Sequence, residues 1–276
     1  MQASNGEFLP EASLDVIRQD QSSAPLRRVQ PPRRTWPWPL DLYQSAVGKK
    51  WAMAWSGVVL LGFVLVHMIG NLKAYLGPEQ INHYGEWLRD MAVPALPRTV
   101  FLWIVRSVLI AAFAVHMHAA YALTRMNHRA RPTKYAGERD YIAANWASRT
   151  MRWTGIIVIL FVFFHLADLT WGAANPDFVR GSVYHNMSYS FSRVWVAAIY
   201  IVANVALAVH IFHGAWSLFA SLGVSNPRIV RFRRNFAVGF AAVILLGNIS
   251  FPIAVQAHLI EDHGSMPYRA PTEQGR

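Results

Sequence analysis

The sequence has no cysteine among its 276 residues. Disulfides, thiolate-held zinc and iron–sulfur clusters are therefore excluded within this chain. Charge is also sparse, since Asp, Glu, Lys and Arg make up 15% of the residues while 54% are hydrophobic. This composition is too apolar for an ordinary soluble domain and indicates a membrane protein. Any bound metal has to be held mainly by histidine.

The N-terminal segment lacks the apolar stretch and small-residue cleavage site of a secretory signal, so we expect no signal peptide to be removed. It is polar, basic and Pro-rich, with PPRRTWPWP near its end. We expect three regions: a cytoplasmic arm over 1–46, a transmembrane domain over 47–260 and a short outer tail over 261–276.

Five stretches are long and apolar enough to cross a hydrocarbon core of about 30 Å, which takes about 20 helical residues. They are roughly 51–76, 98–126, 147–173, 191–220 and 235–259. The expected fold class is an all-α integral membrane bundle of five transmembrane helices.

The distribution of positive charge orients this bundle. Of the 26 Lys and Arg residues, 18 lie in the segments 1–50, 125–152 and 228–234, seven lie in the alternate segments, and Arg106 lies within a span. Cytoplasmic loops carry the excess of Lys and Arg, so the N-terminus is expected inside and the C-terminus outside. The net charge of +11 therefore requires no nucleic-acid partner.

A repeat relates the first and third spans. Met53-Ala-Trp55-Ser56-Gly57 is followed ten residues later by His67, and Met151-Arg-Trp153-Thr154-Gly155 is followed ten residues later by His165. The repeat therefore predicts two parallel halves, one formed by spans one and two and the other by spans three and four, with the fifth span added.

One histidine falls on each of the first four spans: His67, His116, His165 and His210, at separations of 49, 49 and 45 residues. A lone intramembrane histidine is commonly a helix–helix hydrogen-bonding residue, but four at this spacing are difficult to attribute to independent packing choices. His67 and His165 lie about 24 Å along spans that rise from the inner face. His116 and His210 lie roughly 24–29 Å along spans that descend from the outer face.

Equal depth predicts two pairs, His67 with His165 toward the outside and His116 with His210 toward the inside. Bis-imidazole coordination needs two neutral imidazoles facing each other across a flat macrocycle, which opposed helices of a four-helix bundle supply. We therefore expect the first four helices to enclose two haem b groups. Small residues near the histidines leave room for a macrocycle, although small-xxx-small helix packing explains them about equally well. They are Gly57, Gly62, Ala112, Ala120, Gly155 and Gly214.

Two further histidines compete for the ligand positions. His118 lies about 200° around the helix from His116, so only one of them faces the interior. Small residues four positions to either side favour His116. His213, one turn after His210, suits a hydrogen bond to a haem propionate or a quinone near the inner surface.

Arg106 is a charge within the second span and is costly there without compensation. An outer-haem propionate or Asp168, one turn beyond His165, is a possible partner. Snorkelling of the side chain to the outer surface is the alternative.

In combination, these motifs resemble the single-subunit, two-haem cytochrome b membrane anchor of succinate:quinone oxidoreductases and fumarate reductases over roughly 48–260. The residues that carry the resemblance are Gly48-Lys49-Lys50, Met53-Ala54, Gly57, His67, Gly70-Asn71-Leu72, His116, Leu123-Thr124, Ala130-Arg131-Pro132, Arg152-x-Thr154-Gly155-Ile156, His165 and His210-x-x-His213-Gly214-x-Trp216-Ser217. The family pattern places its ligands on His116 rather than His118, and on His210 rather than His213. The arm over 1–46 is longer than the family leads us to expect.

The resemblance implies a subunit of succinate dehydrogenase in a bacterial plasma membrane. Flavoprotein and iron–sulfur subunits would dock on its cytoplasmic face, and electrons would pass through two haems b to a membrane quinone, menaquinone or ubiquinone. With both axial positions filled by protein, neither haem binds substrate, so this chain would not itself oxidise succinate. An oligomer of the complex is also possible.

The quinone site needs polar groups at a haem edge. Outer candidates are His83, Tyr84 and Glu86, with Asp168 and Arg106 nearby. Inner candidates are Trp55, Ser56 and His213. Either set can also be interfacial, since aromatic belts account for many Trp and Tyr residues.

Three other functions fit part of the pattern. One is the haem-bearing subunit of another respiratory complex such as nitrate reductase, whose histidines are not distributed one per helix over the first four helices. Another is a parallel-repeat transporter that uses the histidines as proton relays. The third is a structural anchor without haem. A haem absorption band in the purified protein would favour the electron carrier, and its absence would favour the transporter or the structural anchor.

Overall fold

The computed structural model describes residues 37, 38, 40–130, 142–224 and 226–261, without the side chains of 142–149. The α-helices in these ranges are, in chain order, α1 Leu40–Gln44, α2 Ala46–Asn71, α3 Pro78–Asp90, α4 Val100–Arg129, α5 Ile142–Leu169, α6 Val183–Ser192, α7 Val194–Ser221 and α8 Val230–Gln256. Short 3-10 turns cover Leu72–Leu76 and Pro227–Ile229. Most of the predicted arm over 1–46 and nearly all of the tail over 261–276 lie outside the described residues.

Five of these helices are long and apolar enough to cross a membrane: α2, α4, α5, α7 and α8. They contain 26 to 30 residues each, which corresponds to about 39–45 Å at 1.5 Å per residue. The predicted all-α, five-span architecture is confirmed. The observed ends differ from the predicted ones by a few residues, as hydropathy alone defines a span but not its caps.

The start of α2 shows what fixes one such end. The Ser45 side chain accepts a hydrogen bond from the Gly48 amide at 2.9 Å, which caps the first turn. A side chain at Gly48 would collide with the Leu42 carbonyl, so the turn between α1 and α2 requires glycine there. This accounts for the glycine of the Gly-Lys-Lys motif.

The long helices pack as two pairs that are joined both directly and through the fifth helix. Helix α2 packs along α4, and α5 packs along α7. Helix α2 also packs against α7, and α8 packs against α7 and contacts α2. Met68, Ile211 and Ile244 form the core where α2, α7 and α8 meet. A side chain at Gly247 would collide with Met68, so glycine allows α8 to approach α2 closely.

The connections on the side that the charge distribution predicts to be outer, called the outer side below, contain two helices, α3 and α6. Their apolar side chains join the ends of α7 and α8 in one buried cluster, with Ile81 from α3 and Phe191 from α6. The Tyr184 amide of α6 donates to the Asn82 side chain of α3 at 3.1 Å. The outer end of the bundle is thus covered by packed helices.

Candidate functional site

The four intramembrane histidines meet in pairs between the two helix pairs. His67 of α2 faces His165 of α5 with ring centroids 5.9 Å apart, and His116 of α4 faces His210 of α7 with centroids 6.4 Å apart. Within the part of the chain that the structure describes, α2 with α5 and α4 with α7 make few or no backbone contacts, whereas α2 packs directly against α7. The facing rings therefore bridge a space between helices, in the two pairs that the sequence predicts.

The inner pair is held by the repeated Ser/Thr-Gly dipeptides. His116 Nδ1 lies 3.3 Å from the Ser56 hydroxyl, and His210 Nδ1 lies 3.3 Å from the Thr154 hydroxyl. Both hydroxyls already donate to a carbonyl one turn back, at 2.7 Å, so towards the histidines they accept. A Cβ at the glycine that follows each hydroxyl residue would lie 3.5–3.6 Å from the same imidazole.

These contacts define which nitrogen of each inner ring carries the proton. His116 Nδ1 also lies 3.2 Å from the Met53 carbonyl oxygen, which can only accept. Nδ1 of His116 is therefore the protonated nitrogen, and the accepting Thr154 hydroxyl assigns His210 in the same way. In the neutral imidazole this leaves Nε2 with a free lone pair, as ligation of a metal requires.

The outer pair lies in a more aromatic setting. Phe63 stacks on His67 at 5.3 Å, and Phe161 lies 5.8 Å from His165. His165 Nδ1 lies 3.3 Å from the Tyr200 hydroxyl. His67 has a long contact of 3.4 Å from its Nε2 to the Asn71 amide nitrogen.

Asp168 is the fully buried carboxylate beside the outer pair, with 0% exposure. Its Oδ1 accepts from the Arg193 guanidinium at 2.8 Å, and its Oδ2 accepts from Ser190 at 2.6 Å and from Tyr200 at 3.0 Å. Asp168 therefore pairs with Arg193 and not with Arg106, for which it was one of the two partners considered from the sequence. Arg193 returns to Asp168 because α6 leads the chain back across the outer end of α5.

Arg106 is exposed on α4 and its guanidinium lies 5.1 Å from the centre of the Trp103 ring. The favourable stacking of a cation on an indole face replaces the carboxylate partner that the sequence led us to consider. This placement agrees with the snorkelling alternative.

The two competing histidines lie apart from the ring pairs. His118 is exposed, and its Nδ1 lies 2.5 Å from the Tyr43 hydroxyl. Burial raises the pKa of Tyr43, which keeps this phenol protonated. His213 is buried, and its Nε2 lies 3.0 Å from the Thr150 hydroxyl.

The outer quinone candidates are distributed over both sides of α3. His83 and Tyr84 line a cavity of about 270 Å³ together with Lys73, Gln80 and Trp87. Glu86 instead forms ion pairs with the arginines at 89 and 98. A side chain at Gly70 would collide with the Tyr84 ring, so the cavity lies one helical turn beyond His67.

The inner quinone candidates differ in their exposure. Ser56 is buried against His116, as described above, whereas Trp55 is 59% exposed on the neighbouring face of α2. Of the residues at the histidine pairs, sequence reasoning assigned no role to Tyr200, Arg193 and Thr154. Thr154 was recognised only as part of the repeat and of the family motif. Its equivalence to Ser56 was the signal that could have indicated a similar contact with a histidine.

The geometry defines an all-helical integral membrane protein that holds two pairs of facing histidines between its helices. A family model described as succinate dehydrogenase/fumarate reductase transmembrane subunit matches residues 133–248. The match includes His165 and His210 and confirms the resemblance predicted from the sequence, so the chain is similar to a membrane subunit of these complexes. No curated protein and no solved structure matches the chain.

Proposed function

We propose that this chain is the membrane-anchor cytochrome b subunit of a succinate:quinone oxidoreductase, which relays electrons from an iron–sulfur subunit through two haems b to a membrane quinone. His67 and His165 would hold the outer haem, and His116 and His210 the inner one. The observation that carries the proposal is the meeting of two histidine pairs across the space between two helix pairs. Haem supplies reversible one-electron chemistry at each site.

The distances and the number of donors fit an axially ligated haem. A metal–imidazole bond of about 2.0–2.1 Å places the centroids of two opposed rings roughly 6 Å apart, against the observed 5.9 and 6.4 Å. Structural zinc sites take four protein ligands, and no group of three suitable side chains occurs among the residues that the structure describes. A haem needs only two, because the macrocycle fills the other positions.

The surroundings of the histidines fit as well. An accepting oxygen faces Nδ1 of His116, His210 and His165. The Nε2 atom of each ring therefore keeps its lone pair and can coordinate a metal. A Cβ at Gly214, one turn from His210, would meet nothing within 4 Å, so this face of α7 has room for a flat group.

The outer cavity is the quinone site that we favour. The Lys73 ammonium and the Tyr84 hydroxyl are donors that can bind a quinone carbonyl, and the Trp87 ring offers a face on which a quinone ring can stack. The flavoprotein and iron–sulfur subunits would bind at the basic inner face. The chain would thus lie in a bacterial plasma membrane with its N-terminus cytoplasmic.

Haem spectroscopy of the purified complex tests the proposal. We expect two redox-distinct haem bands in the reduced-minus-oxidised spectrum. His67→Ala and His165→Ala should remove one band, and His116→Ala and His210→Ala the other, because each haem loses an axial ligand. His118→Ala is the matched control on α4 and should retain both bands.

Two results would contradict the assignment. Wild-type complex without a haem band would exclude the electron-carrier function. Loss of the same band in His67→Ala and His116→Ala would exclude the pairing while leaving the haems in place.

A further inference from the structure

His165 ends a chain of hydrogen bonds that begins at a buried ion pair. The Arg193 guanidinium donates to Asp168, the Tyr200 hydroxyl donates to the same carboxylate, and the Tyr200 oxygen lies 3.3 Å from His165 Nδ1. Asp168 is 0% exposed and Tyr200 is 4% exposed. His165 and Asp168 belong to α5, Tyr200 belongs to α7, and Arg193 is the residue that precedes α7.

The direction of each hydrogen bond follows from the chemistry of the groups. A hydroxyl has one proton, and the carboxylate of Asp168 can only accept it. The Tyr200 oxygen is therefore an acceptor towards His165, and Nδ1 of His165 is the donor. The order of donation runs from His165 to Tyr200 to Asp168, with the positive charge of Arg193 behind the carboxylate.

Among the described contacts, the three other paired histidines lack such an acceptor. His116 and His210 face Ser56 and Thr154, aliphatic hydroxyls whose protons point to backbone carbonyls, and His116 also faces the neutral Met53 carbonyl. Besides its ring contacts, the one described polar contact of His67 is the long one between its Nε2 and the Asn71 amide nitrogen. A phenol that donates to a charged carboxylate is a stronger acceptor than a hydroxyl that donates to a neutral carbonyl, because hydrogen bonds in a chain polarise one another.

The hydroxyl of Tyr200 is not needed to hold α5 against α7. Arg193 and Ser190 already donate to both oxygens of Asp168, and Arg193 also donates to the Ala174 carbonyl at 2.9 Å. The Tyr200 hydroxyl is a third donor to Asp168, and it alone among the three donors also contacts His165. The packing of its ring, 4.8 Å from Phe191 and 5.0 Å from Phe161, would be the same in phenylalanine.

We infer that Tyr200 and Asp168 are positioning residues that fix the Nδ1-protonated tautomer of His165 and lower the reduction potential of the haem that this histidine would bind. The inference rests on the proposed function. A carboxylate-backed hydrogen bond to a ligating histidine fixes its orientation and makes it a more basic ligand. A more basic ligand stabilises ferric over ferrous iron, so the outer haem is harder to reduce than it would be without Tyr200.

Tyr200→Phe in the purified complex, followed by redox titration of the two haem bands, tests this inference. Mutation of a residue that hydrogen-bonds to a metal ligand typically changes metal affinity or activity 10–100-fold. A tenfold loss of the preference for ferric iron corresponds to about 59 mV for one electron, so we expect an upward shift of about that size in one band only. The ferric spectrum in electron paramagnetic resonance should change for the same haem.

Tyr184→Phe is the matched control, because Tyr184 is also buried in the outer cap and its hydroxyl donates to the Glu261 carbonyl at 3.2 Å. It should leave both potentials unchanged. Asp168→Asn should shift the same band upward, since a neutral amide polarises the phenol less. If the Asp168→Asn complex does not assemble, the comparison of haem potentials between Tyr200→Phe and Tyr184→Phe still tests the inference.

The outcomes separate the haem assignment from the role of Tyr200. Wild-type complex without haem overturns the proposed function. Two haem bands in the wild type, with Tyr200→Phe identical to Tyr184→Phe in potential and ferric spectrum, overturn this inference alone. A shift of the band that His210→Ala removes, rather than the one that His165→Ala removes, also overturns it.

Discussion

At the scale of single residues, the repeat has a physical meaning that spacing alone did not reveal. Ser56-Gly57 of α2 and Thr154-Gly155 of α5 each meet the histidine of the partner helix, the hydroxyl as an acceptor for Nδ1 and the glycine as room for the ring. The sequence predicts which positions are equivalent. It did not predict that Ser56 contacts His116, because that depends on how α2 and α4 face each other.

Gly155 offers a direct test of this arrangement. Since a Cβ there would lie 3.5 Å from His210 Cε1, alanine fits in ordinary contact, whereas the larger side chain of leucine displaces the imidazole. We expect Gly155→Ala to retain both haem bands and Gly155→Leu to lose the band assigned to His210. The measurement is the reduced-minus-oxidised spectrum of the purified complex.

Gly239→Leu is the control for this substitution, because a Cβ at Gly239 of α8 would meet nothing within 4 Å. It should retain both bands. An unchanged spectrum of Gly155→Leu would show that the glycine does not shape the site.

At the scale of helices, the long apolar spans could be predicted and the short outer helices could not. A span is visible as about 20 consecutive apolar residues, whereas α3 and α6 contain 13 and 10 residues with many polar side chains. Their helical structure depends on tertiary packing, as shown by Ile81 and Tyr184 in one buried cluster. The Asp168–Arg193 ion pair was missed for the same reason, since it forms only because α6 returns the chain to α5.

Arg193→Ala should destabilise the junction of α5, α6 and α7. The substitution leaves the fully buried Asp168 carboxylate without its cation, and breaking a buried pair in this way costs about 3–5 kcal/mol. We expect a lower midpoint of thermal unfolding for the detergent-solubilised complex. Retention of the outer haem band during heating reports on the same junction.

Arg98→Ala is the matched control at the outer surface. Arg98 is exposed and its pairs with Glu86 and Asp90, at 2.6 and 2.7 Å, are accessible to water. Exposed pairs contribute little, so this variant should unfold close to the wild type. Equal stability of Arg193→Ala and Arg98→Ala would contradict a structural role for the buried pair.

At the scale of the whole molecule, the two helix pairs and the orientation in the membrane determine which face each histidine pair serves. The outer pair lies on the side of α3 and α6, and the inner pair lies on the side of the loop between α7 and α8. The positive-inside distribution predicts that this loop, with Arg228, lies in the cytoplasm and that the connection between α5 and α6, with Arg180, lies outside. The proposed direction of electron flow depends on this assignment.

Single introduced cysteines test the orientation in intact cells, and the natural absence of cysteine leaves this chain no competing thiol. Arg180 and Arg228 are both exposed, so Arg180→Cys and Arg228→Cys form a matched pair. We expect a membrane-impermeant thiol reagent to label Arg180→Cys in intact cells and Arg228→Cys only after permeabilisation. The reverse pattern would place the basic loops outside. The docking of a cytoplasmic iron–sulfur subunit would then have to occur beside His67 and His165 rather than beside His116 and His210.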